Sequence, residues 1–201
     1  MSQIDQNTKA IFKNIKELLI LAAKDRNHTF HTPVFSSNCE NNSVNSRVVV
    51  IRKFDENNLK INFHTDYRSP KILDLQKNSQ TSFVFYDYKI KIQLRIKTLS
   101  IINHKNNISK HAWGNTPLSS RKCYLATKPP SSSTTLSEDS IPKHLKGINP
   151  TLDESEKGYE NFTVIENKIL NIDWLHLNSS GHQRLQIRLD NLKPVFNWII
   201  P

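Results

Sequence analysis

His64-Thr-Asp-Tyr-Arg-Ser-Pro-Lys71 is the stretch on which the reading turns, because it joins a strand to a helix through residues that suit a phosphate. Before it, Leu59-Lys-Ile-Asn-Phe-His64 alternates apolar and polar residues with the two-residue period of a half-buried strand. After it, Ile72, Leu73 and Leu75 predict a short amphipathic helix running to about Asn78. Ser69 suits the N-cap, and Pro70 suits the first helical position, where its missing N–H costs nothing. Lys71 then falls in the first turn, where a cation opposes the helix dipole, so helix stability does not explain it. A bound phosphate does. Free N–H groups at the helix start, the Thr65 and Ser69 hydroxyls and the Arg68 and Lys71 charges can converge on one dianion. The bland alternative is a helix start that binds nothing, with Lys71 in solvent.

With 201 residues and 36% apolar content, the chain is expected to form a single domain, 1–201, with enough apolar side chains for a proper core. Its dense apolar patch, Leu18-Leu-Ile-Leu-Ala-Ala23, is too short to span a bilayer and lacks the layout of a signal peptide. A cytoplasmic protein with no membrane partner is therefore expected. Cys39 and Cys123 lie far apart in no CxxC or Cys/His cluster, so both read as free thiols, and the scattered histidines indicate no metal site. The formal charge of +10 attracts anions, but the lysines and arginines form no dense run and only 8% of residues are aromatic. Nucleic acid is not favoured as a partner, and small phosphorylated molecules suit the charge at least as well.

Outward from the opening stretch, a packing helix is expected over about Ile4 to Lys24, with Ile4, Thr8, Ile11, Ile15, Leu18 or Leu19 and Ala22 on one face. A short strand is expected at Thr32 to Ser36. Arg47-Val-Val-Val-Ile-Arg-Lys53 reads as one strong strand, too apolar at its centre to face water on either side. The Asp55-Glu-Asn-Asn58 turn makes a hairpin of it with the strand ending at His64. Further strands are expected at Thr81 to Tyr86 and Lys89 to Ile102. In the second, Ile90, Ile92, Leu94 and Ile96 take one face and Lys91, Gln93, Arg95 and Lys97 the other. A helix is expected around Ser109 to Gly114. The segment 128–158 collects prolines and a Ser/Thr run and reads as a flexible insertion or lid. Strands resume at Phe162 to Glu166, Ile169 to Leu177, Gln183 to Leu189 and Val195 to Ile200. Helices bracketing antiparallel strands point to an α+β protein or a β-barrel with helical additions.

No nucleophile elbow, HExxH, Walker loop or GxGxxG occurs, and four glycines leave little room for a Gly-rich phosphate loop, so hydrolase and nucleotidase readings lose ground. What stands out is arginine and glutamine on alternating strands: Arg184, Gln186 and Arg188 on one, Gln93 and Arg95 on another, Arg47 and Arg52 flanking a third. Such donors can fork onto a phosphate or hydrogen-bond the carbonyl edge of a heterocycle. Each alone also fits a solvated strand face. Trp174 reads either as an ordinary core aromatic or as a lid over a planar ligand.

In this order, the segments resemble the pyridoxamine 5′-phosphate oxidase-like family, whose members bind FMN in a split β-barrel. The likeness runs from Arg47 to the C-terminus, apart from 128–158. The family pattern of Arg, four apolar residues and a basic residue is similar to Arg47-Val-Val-Val-Ile-Arg52, with Arg52 in place of lysine. Its Phe-Tyr-Thr-x-x-x-Ser-Arg-Lys phosphate segment resembles Phe63 to Lys71, keeping Thr65, Ser69 and Lys71 but carrying His64 for tyrosine and Pro70 for arginine. Gln93 resembles a glutamine that contacts the flavin ring, and Leu118-Ser119-Ser120-Arg121 resembles a Gln-Ser-Ser-Arg element. Trp174 and Arg184-Leu-Gln-Ile-Arg188 resemble the family's Trp and Arg-Leu-His-Asp-Arg, and Trp-Ile-Ile-Pro201 is similar to its Arg-Leu-Ala-Pro end. The Tyr, Arg and Ser set that holds the substrate phosphate in the oxidases is not matched in Asn103 to Pro117, and Gln186 stands for a substrate-contacting histidine. The chain is closer to a branch with Ser-Ser-Arg-x-Cys-Tyr-Leu-Ala and Gly-His-x-Arg, here Gly181-His182-Gln183-Arg184.

The resemblance implies an α+β fold, an antiparallel, Greek-key-like FMN-binding split β-barrel with flanking helices. It also implies a homodimer with flavin at the subunit interface. Arg47, Arg52, His64, Thr65, Ser69 and Lys71 would hold the phosphate end, Gln93, Ser119, Trp174 and Arg188 the ring, and Arg184 and Gln186 would face the substrate. The activity implied is oxidation of pyridoxamine or pyridoxine 5′-phosphate, or of another small substrate, with oxygen as acceptor. The alternatives are an FMN-binding protein without that activity and a nucleic-acid-binding barrel.

Overall fold

A computed structural model describes residues 3–39 and 43–201, with side chains from residue 6 onward. Helix α1 (Gln3–Lys24) buries Thr8, Ile15, Leu18, Leu19 and Ala22, the face that a 3.6-residue period selects. The side chain of Ile4, expected on that face, lies outside the described residues. The strands are β1 (Val34–Asn38), β2 (Val44–Val48), β3 (Ile51–Asp55), β4 (Lys60–Asp66), β5 (Gln80–Asp87), β6 (Ile92–His104), β7 (Phe162–His176), β8 (Gln183–Asp190) and β9 (Lys193–Ile199). The remaining helices are α2 (Pro70–Lys77), α3 (Asn107–Gly114), α4 (Leu118–Arg121) and α5 (Leu152–Glu156). The strands form one antiparallel sheet in the order β2-β1-β5-β6-β7-β4-β3, with β8 on β7 and β9 on β8. This is the α+β split-barrel architecture. Among the described residues, no helix is long and apolar enough to cross a membrane.

Two expected strand boundaries are corrected. The run Arg47 to Lys53 is two strands, not one: β2 pairs with β1, β3 pairs with β4, and the chain changes partner at Val49 and Val50. Val49 is buried and its N–H donates to the Pro33 carbonyl at 3.1 Å, whereas Val48 is largely exposed. An apolar run that must serve both ends of the strand order cannot stay in one ladder. Conversely, the two strands expected over Phe162 to Leu177 are a single β7, because Asn167, polar in sequence, is fully buried and bonded. Its amide donates to the Ile61 carbonyl at 2.8 Å and its oxygen accepts from the Ser100 hydroxyl at 2.7 Å. A buried amide satisfied in this way behaves as core.

By contacts the chain divides into two compact units. The first comprises Met1–Phe63, Asn78–Ile101 and Glu166–Pro201. Its interior is aromatic: Phe35 meets Phe63 and Phe83 at ring separations of 4.9 and 5.0 Å, and Phe30 meets Phe85 at 5.3 Å. Ile92, Leu94 and Ile96 of β6 point to this interior, as their alternation predicts, while Ile90 lies in the preceding turn and is exposed. Asp87 organises that turn, accepting the Lys89 and Ile90 N–H groups at 2.8 and 3.2 Å and the Thr29 hydroxyl at 2.5 Å. Burial pushes its pKa up, but these hydrogen bonds and the nearby His28 outweigh it and hold the carboxyl below its ordinary value. The β8–β9 hairpin turns on Asn191 and Leu192, both at positive φ, as a two-residue hairpin turn of this hand requires.

The second unit comprises His64–Lys77 and Ile102–Ile165. Its core is Trp113, Phe162 and Val164, with Ala112, Tyr124 and Tyr159 packed around them. The segment 128–158, expected to be a flexible insertion, carries a 3₁₀ turn (Lys143–Leu145) with Leu145 buried. It also carries α5, started by a Thr151/Glu154 capping box with Ser155 fully buried.

Candidate functional site

Within the second unit, β4 ends and α2 begins as the alternation and the Ser-Pro pair predict. The turn between them brings Thr65, Ser69 and Lys71 to one point. The Lys71 Nζ donates to Thr65 Oγ1 at 2.8 Å and to Ser69 Oγ at 2.7 Å. Ser69 is only 5% exposed and Lys71 is half-buried, so this ammonium group is partly desolvated against two hydroxyls. An ammonium between two hydroxyls at a helix start is a suitable donor set for a phosphate oxygen. His64 is held at the same strand end, its ring edge-on to Phe162 at 4.8 Å.

Arg68, expected to add its charge there, is turned away. Its Nε and Nη2 fork onto Asp66 at 3.0 and 2.7 Å, and Nη2 also donates to the Ala126 carbonyl at 2.9 Å. A carboxylate two residues back claims the guanidinium before a ligand can. Arg68 thus ties Ala126, two residues ahead of the 128–158 segment, to the β4–α2 turn. Next to it, Tyr67 stacks on His104 with ring centres 3.8 Å apart and planes within 7°.

Ser119 lies exposed in α4 of the same unit. Its neighbour Arg121 is 4% exposed and is an internal organiser. It donates to the Thr116 and Trp113 carbonyls at 3.0 and 2.8 Å, to Ser155 Oγ at 3.1 Å and to Glu156 Oε1 at 2.6 Å, with its guanidinium 4.6 Å from the Trp113 ring. The Ser-Ser-Arg sequence therefore places a serine at the surface by anchoring the arginine beneath it.

In the first unit, strand register sorts the other candidates onto two faces. Direct cross-strand partners share a face, so Val48, Val34, Val84 and Arg95 form one row across β2, β1, β5 and β6, with Tyr86 and Gln93 in the adjacent row. Arg95 Nη2 donates to Asp173 Oδ2 at 2.6 Å on β7. Asp173 lies opposite Gln186, and Arg188 opposite Asn171. Gln93, Arg95, Asp173, Arg184, Gln186 and Arg188 thus occupy one face. Arg184 reaches Asp173 diagonally, with Nε to Oδ1 at 3.0 Å and Nη2 to Oδ2 at 2.8 Å.

Trp174 points the other way. It pairs with Leu185 beside the Ile172–Ile187 pair, is 5% exposed, and meets Trp198 edge-on at 6.4 Å. Arg47 also points to the interior side with Phe35 and Ser37, donating to Ser37 Oγ at 2.7 Å. Arg52 is exposed where β3 and β4 shift register between Ile51 and Lys53.

Sequence reasoning missed Asp173. A lone acid on a strand face lined by arginines was the available signal, since opposite charges on neighbouring strands pair.

Residues 13–103 match the family model described as pyridoxamine 5′-phosphate oxidase, FMN-binding domain. No curated protein matches the chain. Among solved structures, a pyridoxamine 5′-phosphate oxidase-related, FMN-binding protein from Nostoc punctiforme is similar at 16% identity, covering 94% of this chain and 97% of that one, with a TM-score of 0.74. PhzG from Burkholderia lata, solved with tetrahydrophenazine-1-carboxylic acid, is similar at 14% identity over 94% and 92% of the two chains, TM-score 0.72. A Clostridium acetobutylicum protein related to general stress protein 26 is similar at 14% identity over 92% and 96%, TM-score 0.52. At these identities the likeness is one of fold.

Proposed function

We propose, from the match of residues 13–103 to the pyridoxamine 5′-phosphate oxidase, FMN-binding domain model, that the chain is a cytoplasmic, homodimeric, FMN-dependent oxidoreductase. The observation that carries the proposal is the convergence of Lys71 on the Thr65 and Ser69 hydroxyls at the start of α2. These three hold the phosphate end, with His64 beside them. The resemblance assigns Arg47 and Arg52 to the same end and Gln93, Ser119 and Arg188 to the ring. Trp174 supports the β7–β8 pair from the buried face.

FMN, when bound, supplies hydride acceptance from a substrate carbon and reoxidation by oxygen. The chain's own residues bind, orient and shield. Lys71 neutralises phosphate charge, and the amide of Gln93 offers both a donor and an acceptor to a heterocycle edge. Arg184 and Gln186, on the same face as Gln93, meet the substrate, a small phosphorylated molecule or another small anion. A second copy of the chain accounts for the exposed apolar patch of Val48, Val34, Val84 and Tyr86, which spans the two rows that end in Arg95 and Gln93.

A second reading, an FMN-binding protein that does not turn over B6 vitamers, draws on α3. Where the oxidases place their substrate-phosphate clamp, this segment is a capped helix that buries Ser109 and Trp113. The two readings part when flavin-loaded protein meets pyridoxamine or pyridoxine 5′-phosphate: peroxide forms under the first and not under the second.

The first test is the visible spectrum of the protein after FMN loading and gel filtration. A retained yellow chromophore is expected; a colourless protein would retire both readings. In Lys71→Ala, loss of one charge-assisted hydrogen bond, about 1.5–3 kcal/mol, weakens FMN about ten- to 150-fold. An unchanged affinity would remove Lys71 from the site.

A further inference from the structure

We infer that Arg95, Asp173 and Arg184 together form a carboxylate-selective clamp for the substrate. Asp173 acts as a positioning residue that sets both the geometry and the charge of the two guanidiniums. The inference deepens the flavin reading and rests on it for what the clamped molecule is, namely the reductant of the flavin.

The geometry is specific to three adjacent strands. β7 lies between β6 and β8, and Asp173 on β7 receives Arg95 from one side and Arg184 from the other. Both arginines donate to the same oxygen, Oδ2, at 2.6 and 2.8 Å, so the two guanidiniums lie side by side. Arg184 spends its Nε and Nη2 edge on Asp173, which leaves Nη1 for a second acceptor; Arg95 spends Nη2 alone. The Asp173 side chain is 13% exposed, Arg184 24% and Arg95 46%, so the carboxylate is the floor and the arginines are the open rim. Arg184, fixed along its Nε–Nη2 edge, is pre-organised to fork onto an oxyanion with the remaining donors, and Arg95, held through Nη2, sets a second guanidinium beside it.

Charge decides which oxyanion. Two guanidiniums and one carboxylate leave a single positive charge in the contact group, which a carboxylate monoanion balances and a phosphate dianion overbalances. The segment Asn103 to Pro117 does not carry the oxidases' Tyr, Arg and Ser set, so the anion recognised at the polar face is not required to be a phosphate. Gln186, directly opposite Asp173, supplies a neutral donor and acceptor beside the clamp.

The test is calorimetric titration of the full-length protein, before and after FMN loading, with benzoate as the carboxylate probe and inorganic phosphate as the phosphate probe. Wild type is expected to bind benzoate in the millimolar range and more tightly than phosphate. Arg95→Gln, at a largely exposed position that folding tolerates, and Arg184→Gln should each weaken benzoate by about fivefold or more. Asp173→Asn should shift the benzoate-to-phosphate preference at least about threefold toward phosphate, because it removes the balancing charge. No benzoate binding by wild type, or binding unchanged in both arginine variants, would overturn the clamp. An unaltered preference in Asp173→Asn would reduce Asp173 to a structural ion pair. Flavin retention is read on the same samples: benzoate binding without flavin would retire the flavin reading and keep the clamp, whereas flavin without benzoate would retire the clamp alone.

Discussion

Replacing Arg121 with methionine should destabilise the second unit far more than replacing its ion-pair partner. Methionine fills a similar volume with no donor, and the change is made at a position 4% exposed. The Trp113 carbonyl keeps another donor, the Thr116 N–H at 2.9 Å, but the Thr116 carbonyl loses the Arg121 Nε–H. A part-buried acceptor left without its charged donor costs about 1–3 kcal/mol, and the cation over the Trp113 ring adds about 1 kcal/mol. Glu156, whose side chain is 54% exposed, is rehydrated when the arginine goes, so the full penalty of a stranded buried charge does not apply. The net expectation is about 3 kcal/mol, or a fall in Tm of about 6–12 °C for a chain of this length. Glu156→Gln should cost under about 1 kcal/mol, since its pair is screened by water on one side. The assay is thermal unfolding followed by near-ultraviolet circular dichroism, to which Trp113, Trp174 and Trp198 all contribute. Hydrogen exchange is measured alongside, where α3, α4 and α5 should lose protection together. A Tm shift below about 2 °C for Arg121→Met, or equal shifts for the two variants, would show that Arg121 does not organise this unit.

Asp87 has a folded-state pKa held down by the Thr29, Lys89 and Ile90 hydrogen bonds against its burial, so it stabilises the fold fully above its unfolded value of about 3.9. That contribution disappears as pH falls through the lower folded value. Denaturant midpoints measured from neutral to acid pH should therefore drop more steeply in wild type than in Asp87→Asn; parallel curves would contradict the linkage. A methyl group at Gly158 would sit 3.2 Å from Trp113 Cη2 and 3.2 Å from Tyr124 Cβ, so Gly158→Ala should cost about 1–2 kcal/mol in the same melt. Val84→Glu, on the exposed apolar row, should leave the Tm within a few degrees but shift sedimentation to monomer, and an unchanged dimer would place the interface elsewhere.

What the sequence determined by itself were the elements whose cause is local. The alternation in Ile92, Leu94 and Ile96 set which face of β6 is buried, the Ser-Pro pair set where α2 begins, and the helical spacing of Thr8, Ile15, Leu19 and Ala22 set the packed face of α1. Each rests on a period or a cap that operates within a few residues. Thr65, Ser69 and Lys71 were legible for the same reason: a single turn brings them together.

Only the tertiary structure decided what depends on partners distant in sequence. Arg47 to Lys53 became two strands because its halves pair with different neighbours, and β7 ran unbroken because Asn167 found Ile61 and Ser100. Arg68 was tied to Ala126, Arg121 to Ser155 and Glu156, and Arg184 and Arg95 to Asp173. A charged side chain several bonds long can reach many acceptors. Which one it takes is fixed by strand order and burial, not by its place in the chain.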